Sequence, residues 1–507
     1  MLGAQYNLKE YDYTVVTAKD VQSSLEILNG SGEITLKNSA KTAGPSKWHE
    51  VMMSYFGRFN YNYMSKYLLE MNLRYDGSSK FRPENRWDFF YGFSGGWRLS
   101  EEEFMKNVKF VNELKLRLSY GVVGNQSGIS RYDGMQLYNF NSVNGAYIGD
   151  GRISYIKTSG EIATMGRSWE RIHNYNLGLD FHLFDSRLQG TVELFMKKNN
   201  NMLIAVAYPG ILGDKAPASN SGKFEAKGYE GTVTWSDKIG KVNYHVGGTF
   251  TYADNKLVDY GGVTVFKSGF VDKQQGYSLN SVFGLKYCGK IQTEEQLRKY
   301  IYKYYNSNGI GMPKDLRLGD NMYEDVNGDN VIDGDDRQVL GSYIPNFTYG
   351  INLGLNWKNL DFELTTYGQT GGQIYNRKRA LRYAQSNYNF DKAQYENRWT
   401  GPGSTNSHPS AAALVKGWNV SDQRVNSYFV ESADFFRIQN ITLGYSLRNI
   451  KMGNYTLPGI RFSLTADRPF TTFKANSFTP ELSDAEGWDT EVYPLTSTYS
   501  FGIQIDF

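Results

Sequence analysis

Phe347-Thr348-Tyr349-Gly350-Ile351-Asn352-Leu353-Gly354-Leu355-Asn356-Trp357-Lys358-Asn359-Leu360-Asp361-Phe362-Glu363-Leu364-Thr365-Thr366-Tyr367-Gly368-Gln369 reads as two alternating runs folded back on each other. In the first, Phe347, Tyr349, Ile351, Leu353, Leu355 and Trp357 alternate with small and polar residues, the period-2 signature of a strand with one apolar face. The second shifts phase: Leu360, Phe362, Leu364 and Thr366 point one way, and Asp361, Glu363, Thr365 and Gln369 the other. With Asn359 between them, the runs form a tight hairpin with both apolar rows on one side. Strands of soluble sheets are commonly about 5–6 residues long, whereas these are about 10, the length that crosses a hydrocarbon layer at a tilt. The stretch reads as part of a transmembrane antiparallel β-barrel.

Composition fits an all-β membrane fold. The 507 residues are 40% hydrophobic and 15% aromatic, with 39 Tyr, and mean hydropathy is −0.52. No apolar run is long enough for a spanning helix. A barrel needs none, because half of each strand faces a polar interior. A net charge of +3 and the lack of a basic, aromatic-interleaved stripe argue against nucleic acid as a partner. The single Cys288 excludes an internal disulfide framework and reads as a small residue in Tyr287-Cys288-Gly289. Met1–Tyr6 carries neither a basic nor an apolar signal region, although an outer-membrane barrel must be secreted.

The same pattern recurs along the chain. Residues 1–9 read as the end of a strand and 10–50 as a polar connection. Tyr55–Tyr63 and Tyr67–Asp76 then pair across Met64–Lys66. Trp87–Leu99 is followed by Ser100-Glu101-Glu102-Glu103, which reads as a capping box opening a short helix, and by Leu114–Tyr120. Tyr175–Leu183 and Leu188–Met196 meet at Phe184–Arg187, and Gly231–Trp235 and Val242–Tyr252 at Ser236–Lys241. Ile441–Leu447 and Ile460–Ala466 precede the final run, Leu495–Phe507. About 14 strands result, and every second junction is short, as in barrels with short periplasmic turns and long external loops. This parity predicts a periplasmic C-terminus and large extracellular loops at 255–345 and 370–432. Tyr63, Tyr67, Phe184, Trp235, Tyr244, Trp357 and Phe362 gather beside the short turns as an interfacial girdle would.

Several stretches, in order, resemble one family. They are Phe56–Tyr63, Arg74-Tyr75-Asp76-Gly77-Ser78-Ser79-Lys80-Phe81, Gly96–Glu102, Leu116–Gly121 with Gly124-Asn125-Gln126, Asp325–Asp333, Pro345–Gly350, and Tyr493-Pro494 with the terminal strand. Together they resemble the barrel of SusC/RagA-type TonB-linked outer-membrane transporters over nearly the whole chain. The resemblance implies a 22-strand barrel preceded by a TonB-contacting segment and a plug. It also implies import of a bulky nutrient, an oligosaccharide (glycan) or peptide, under a SusD-like surface lipoprotein, with TonB supplying the energy. That N-terminal portion is not recognisable here, so the expectation is a partial barrel domain over 1–507, a fragment lacking roughly eight strands. The inward rows carry Arg58, Glu70, Arg74, Asp76, Arg98, Lys115, Arg117, Asp180, His182, Glu193, Lys197 and Glu363, which require water or a polar plug as partners.

Asp325–Asp336 is the sharpest local chemical signal. Asp325, Asn327, Asp329, Asp333 and Asp336 occupy positions 1, 3, 5, 9 and 12 of an EF-hand-like loop, with the Val331 carbonyl at position 7, so the oxygens suit Ca²⁺ as a structural staple. Asn330 replaces the usual glycine and Asp336 the usual glutamate. The other reading is a solvated loop rich in Asx turns. No catalytic constellation is present: His49, His173, His182, His245 and His408 lack ligand spacing, and no nucleophile elbow or phosphate loop occurs. Thr293–Gln296 caps a helix to about Tyr305. Its Tyr300, Tyr302, Tyr304 and Tyr305, like Tyr375, Tyr383, Tyr388, Tyr395, Trp399 and Trp418 later, read as loop packing ahead of a sugar-stacking surface. The chain is not read as an enzyme. Two alternatives stand beside the importer: a self-contained smaller pore closing through its own end strands, and a secreted glycan-binding β-protein. The latter would leave rows of Leu, Tyr and Trp exposed to water.

Overall fold

A computed structural model describes residues 1–12, 47–132, 166–205, 218–260, 274–305, 316–384, 392–408, 425–453, 455–479 and 494–506, with shorter pieces between them. Fourteen strands form one antiparallel sheet in which each strand pairs with its neighbours in sequence. They are β1 Leu2–Asp12, β2 Lys47–Tyr63, β3 Tyr67–Ser78, β4 Trp87–Arg98, β5 Val111–Asn125, β6 Glu170–Leu183, β7 Leu188–Ala205, β8 Ala218–Ile239, β9 Val242–Tyr260, β10 Phe347–Trp357, β11 Leu360–Thr370, β12 Phe435–Met452, β13 Tyr455–Phe473 and β14 Thr498–Asp506. Among the described residues β1 pairs only with β2 and β14 only with β13. The two end strands therefore do not close the sheet on each other, as a self-contained smaller pore would require. Among the described residues no helix is long and apolar enough to cross a membrane, which says nothing against crossing by strands.

Register turns the local alternation into two faces. Tyr61, Leu69, Gly95, Leu118, Leu177, Leu194, Tyr229 and Tyr252 lie opposite one another from β2 to β9. At the other end Leu355, Phe362, Leu443, Leu464 and Phe501 do the same from β10 to β14. These residues are largely exposed: Leu69 is 55%, Leu118 64% and Phe501 63% accessible. So continuous an apolar surface is stable only against lipid. A one-residue slip would move every one of these side chains to the polar face, so the rows themselves fix the register.

Aromatic rings bracket the apolar face. Tyr61, Tyr63 and Tyr67 stack in sequence at the short-turn end, and Phe184 packs between Phe110 and Trp235. A second belt, not anticipated from sequence, lies toward the long loops, where Trp87 stacks on Tyr55 and Tyr75, and Tyr229 on Tyr252. Tyr55 and Tyr63 are eight residues apart on β2. That is roughly 26 Å along the strand, or about 20 Å of height at a 40° tilt, against an apolar band about 25 Å tall in such barrels.

Every expected short turn is present, and most are held by left-handed backbone. Met64 and Ser65, Phe184 to Ser186, Gly240, Lys358 and Gly453 all have φ between 52° and 64°. At Gly240 and Gly453 the missing Cβ removes the steric penalty of that conformation. Lys358 bears it, so the β10–β11 turn is Lys358-Asn359, where the sequence had pointed to Asn359 alone.

Three expectations need correction. The strands run further than the alternation showed, β8 for 22 residues, and β2 starts at Lys47, inside the stretch read as connection. Ser100–Glu103 is not a capping box: two 3₁₀ turns, Leu99–Glu101 and Glu103–Met105, form without a side-chain cap. The Glu102 carboxylate instead accepts from the Tyr67 hydroxyl at 2.7 Å and Trp97 Nε1 at 3.0 Å. Thr366 leaves the apolar row; it is 7% exposed, and its hydroxyl bonds both the Ile351 N–H (2.9 Å) and the Ile351 carbonyl (3.1 Å) beside a bulge in the β11–β12 pairing. Among the described residues the most buried apolar side chains lie mainly outside the fourteen-stranded sheet: Val282, Tyr375, Ala380, Val425, Phe429 and Trp488 make one cluster, and Leu285, Ile291, Leu316, Tyr323 and Ile332 another.

Candidate functional site: the polar face and its loop cap

Each strand of the sheet sends its alternate residues to the polar face, where the charges find partners on neighbouring strands. Arg117 on β5 donates to Asp180 on β6 at 2.8 and 2.7 Å, and to Thr191 (3.1 Å) and Glu193 (2.6 Å) on β7. Gly178 lies under that guanidinium: a Cβ there would come within 2.8 Å of it. Asn176 donates to the remaining Glu193 oxygen, and the Thr191 hydroxyl to the Asp180 oxygen that Arg117 also reaches. Arg58 pairs with Glu70 at 2.5 Å, Arg74 with Asp76 and Ser54, Arg461 with Asp361, Arg98 with Glu101 and Glu113, and His245 lies 3.6 Å from Glu363. Charged hydrogen bonds of this kind are the strong ones. The expectation that these groups need a plug or water to be paired is therefore corrected: most of them partner one another across the sheet. The wall is polar, ordered and charged on both signs.

At the long-loop end, segments far apart in sequence join in a cap. Leu285 N–H donates to the Val425 carbonyl and Ser427 N–H to the Leu285 carbonyl, 2.8 and 2.9 Å. Asn406 accepts from Lys290 N–H at 2.8 Å, and Gln292 Oε1 accepts from Trp399 Nε1 at 2.8 Å and from Gly403 N–H at 3.1 Å. The junction between β13 and β14 enters as well. Tyr375 N–H donates to the Gly487 carbonyl and Asp489 N–H to the Tyr375 carbonyl, 3.0 and 2.8 Å, and Lys378 forms an ion pair with Asp489 at 3.3 Å with both side chains buried.

Lys290 lies in the middle of this cap, wholly buried. Its Nζ donates to Asn321 and lies over the rings of Tyr287 and Tyr428 at 4.7 and 4.5 Å. Burial drives its pKa well below the ordinary lysine value, with Arg379 pushing the same way and Asp320 opposing. His408, bonded to the Tyr428 hydroxyl at 3.0 Å, is lowered by burial and by Arg379 and Lys290. Burial raises the Tyr287 hydroxyl and the Cys288 thiol, so Cys288 is no activated nucleophile.

The acidic loop folds as a tight turn with Gly328 at φ +77° and Asn330 at +66°, the left-handed backbone expected of Asn330. Its oxygens are turned onto the loop's own N–H groups. Asp325 accepts from Gly328 and Asn330, Asn327 from Asp329, Asp329 from Val331, and Asp333 from Asp335. Asp336 accepts from Val326 and Asp333; it is wholly buried, and burial, with Asp325 alongside, raises its carboxyl pKa against those hydrogen bonds. Among the described residues no group of three His, Cys, Asp or Glu side chains is placed to hold a metal ion. The donors suit a hard cation in type, but in this conformation they serve as Asx-turn acceptors.

Helix α1, Glu294–Tyr305, forms as expected, with Thr293 Oγ1 accepting from Gln296 N–H. The Tyr300 hydroxyl bonds the main chain of Tyr323, and Tyr375 is buried against Phe429 and Trp488, so both are packing residues. Tyr395 is exposed. Tyr388, Trp418 and the side chains of Tyr302, Tyr304, Tyr305 and Tyr383 lie outside the described residues.

Residues 2–467 match the family described as TonB dependent receptor-like, beta-barrel. The chain belongs to that family. It is 29% identical over 479 residues to TonB-dependent receptor P26 of Formosa agariphila, covering 90% of this chain and 46% of the relative. With TonB-dependent receptor SusC of Bacteroides thetaiotaomicron it shares 28% identity over 472 residues, 90% of this chain and 44% of SusC. The chain thus spans about half the length of the curated relatives it matches. The solved structure of the RagAB peptide importer in its open-open state aligns with TM-score 0.78 at 22% identity, over 100% of this chain and 52% of that one. The RagAB peptide transporter aligns with TM-score 0.77 at 23% identity, over 100% and 53%. These establish an outer-membrane barrel fold in a family of transporters and receptors.

Proposed function

We propose that this chain forms wall and loop cap of an outer-membrane importer that takes up a bulky nutrient, an oligosaccharide or a peptide, with energy delivered through TonB and with a SusD-like lipoprotein on the cap. The long loops, including 255–345 and 370–432, are then extracellular and the C-terminus is periplasmic. One observation carries the reading: the sheet combines an unbroken lipid-type row with a charged, internally paired polar face, the two surfaces that the wall of a solute path needs. The soluble glycan-binding alternative would leave that row in water. Uptake of labelled oligosaccharides and peptides by the native host tests the proposal. Saturable uptake should disappear when TonB or the lipoprotein is deleted, and uptake that persists without TonB would overturn it.

We also propose Ca²⁺ as a staple of the Asp325–Asp336 loop, which must release its Asx-turn hydrogen bonds to offer Asp325, Asn327, Asp329, Asp333, Asp336 and the Val331 carbonyl to the ion. Calorimetry should show binding that Asp325→Ala with Asp329→Ala removes. Absence of heat at millimolar Ca²⁺ would refute it.

A further inference from the structure

The loop from Ser78 to Arg86, between β3 and β4, is built more firmly than a simple connection requires. Ser79 N–H donates to the Val51 carbonyl and Ser79 Oγ accepts from the Val51 N–H, both at 2.9 Å. Ser78 Oγ donates to Gln126 at 2.6 Å. The Arg86 carbonyl accepts from Ser78 N–H and from Trp169 Nε1. Pro83 starts a single 3₁₀ turn that carries the chain back into β4. Opposite this loop, Tyr132 holds φ +61°, strained backbone for a bulky residue, and its hydroxyl bonds the main chain of His49.

Between them lies a cavity of about 280 Å³ lined by Lys80, Phe81, Arg82, Pro83, Arg86 and Tyr132. Three of these are cations. Lys80 is 3.9 Å from Glu50, a carboxylate it shares with Arg131, and Arg82 has Glu84 at 2.7 Å on the surface. Arg86 has no carboxylate within ion-pair distance, and its Nε is buried with no hydrogen-bond partner among the described residues. Among the described residues, four cations face two carboxylates with one buried guanidinium nitrogen unanswered, an arrangement that costs free energy unless an anion completes it.

We propose that this pocket binds an anionic group, a phosphate or carboxylate on a carrier the size of one sugar ring. Guanidinium groups match the paired oxygens of both anions. The volume lies at the small end of ligand sites, which run from about 300 Å³, so a single ring fits and an oligomer does not. Two sources offer this chemistry, a soluble acidic saccharide and the headgroup of an anionic lipid.

Calorimetry on the protein purified in detergent from its native outer membrane, with glucuronate, glucose 6-phosphate and neutral glucose as probes, tests the site without reference to uptake. Both charged sugars should bind and glucose should not. Arg86→Gln should weaken binding at least tenfold, and Arg86→Lys should restore part of it. Arg82→Gln, on the surface and therefore safe for folding, should weaken it several-fold. Failure of both charged sugars to bind, equal binding of glucose, or unchanged affinity in Arg86→Gln and Arg82→Gln would overturn the proposal. Repeating the titration in nanodiscs separates the sources. Competition by lipopolysaccharide supports a headgroup as the occupant, whereas affinity that is the same with and without it supports a soluble saccharide.

Discussion

Single residues in this sheet have a side, and the side sets what a substitution costs. Leu353 lies between Val246 and Leu364 in the apolar row, while its neighbour Asn352 lies between Gly247 and Thr365 on the polar face. Leu353→Arg places a cation toward hydrocarbon near the middle of β10 and should cost about 2–4 kcal/mol of stability. Asn352→Arg, one residue away, should cost little. Unfolding titrations in lipid bilayers measure the difference, and equal penalties would contradict the assignment of faces. These positions were legible in the sequence because period-2 alternation is local. The capping box at Ser100–Glu103 was misread because the partners that hold this turn are not local: Glu102 is held by Tyr67 and Trp97 from two different strands, and Glu103 pairs with Lys106 at 2.6 Å in place of the cap.

At the scale of strands and turns, the expected junctions all appear, since the short turns lie where the alternation breaks. Strand ends were less legible, because beyond the membrane band the alternation lapses while main-chain pairing continues, as in residues 218–224 of β8. Thr366 shows how pairing irregularity hides in sequence. A threonine fits an apolar row by size, but here its hydroxyl replaces main-chain partners for Ile351 beside the bulge. Thr366→Val should therefore leave the Ile351 N–H and carbonyl without these part-buried hydrogen bonds and destabilise the β10–β11–β12 unit by about 1 kcal/mol, read as faster hydrogen exchange at Ile351. Exchange unchanged from wild type would show that those bonds contribute nothing.

For the molecule as a whole, the cap was invisible in the sequence, because its contacts join residues more than a hundred positions apart and its strands are only three to five residues long, as in Gln373–Tyr375 and Gln338–Ser342. Lys290 gives the cap a pH dependence with a definite sign. Its pKa is lower folded than unfolded, so over the interval between the two values the unfolded state binds more protons and stability rises with pH. Cap stability should thus increase as pH is raised toward the ordinary lysine value near 10.4 and level off above it. Lys290→Met should remove that slope. Hydrogen exchange at Leu285 and Ser427, corrected for intrinsic rates, measures it; an identical slope in the variant would assign the dependence to another group.

The clip between Lys378 and Asp489 also constrains the order of assembly. Val282, Tyr375, Ala380, Val425 and Phe429 are brought together by the junctions after β9 and β11, yet Trp488, which completes their cluster, arrives only with the junction between β13 and β14. Closing that contact joins residues more than a hundred positions apart, the slow kind of folding step. A chain whose hairpins zip up in sequence therefore keeps the cap unfinished until its last hairpin is in place, which makes a closed cap a report that the whole row of strands has been laid down.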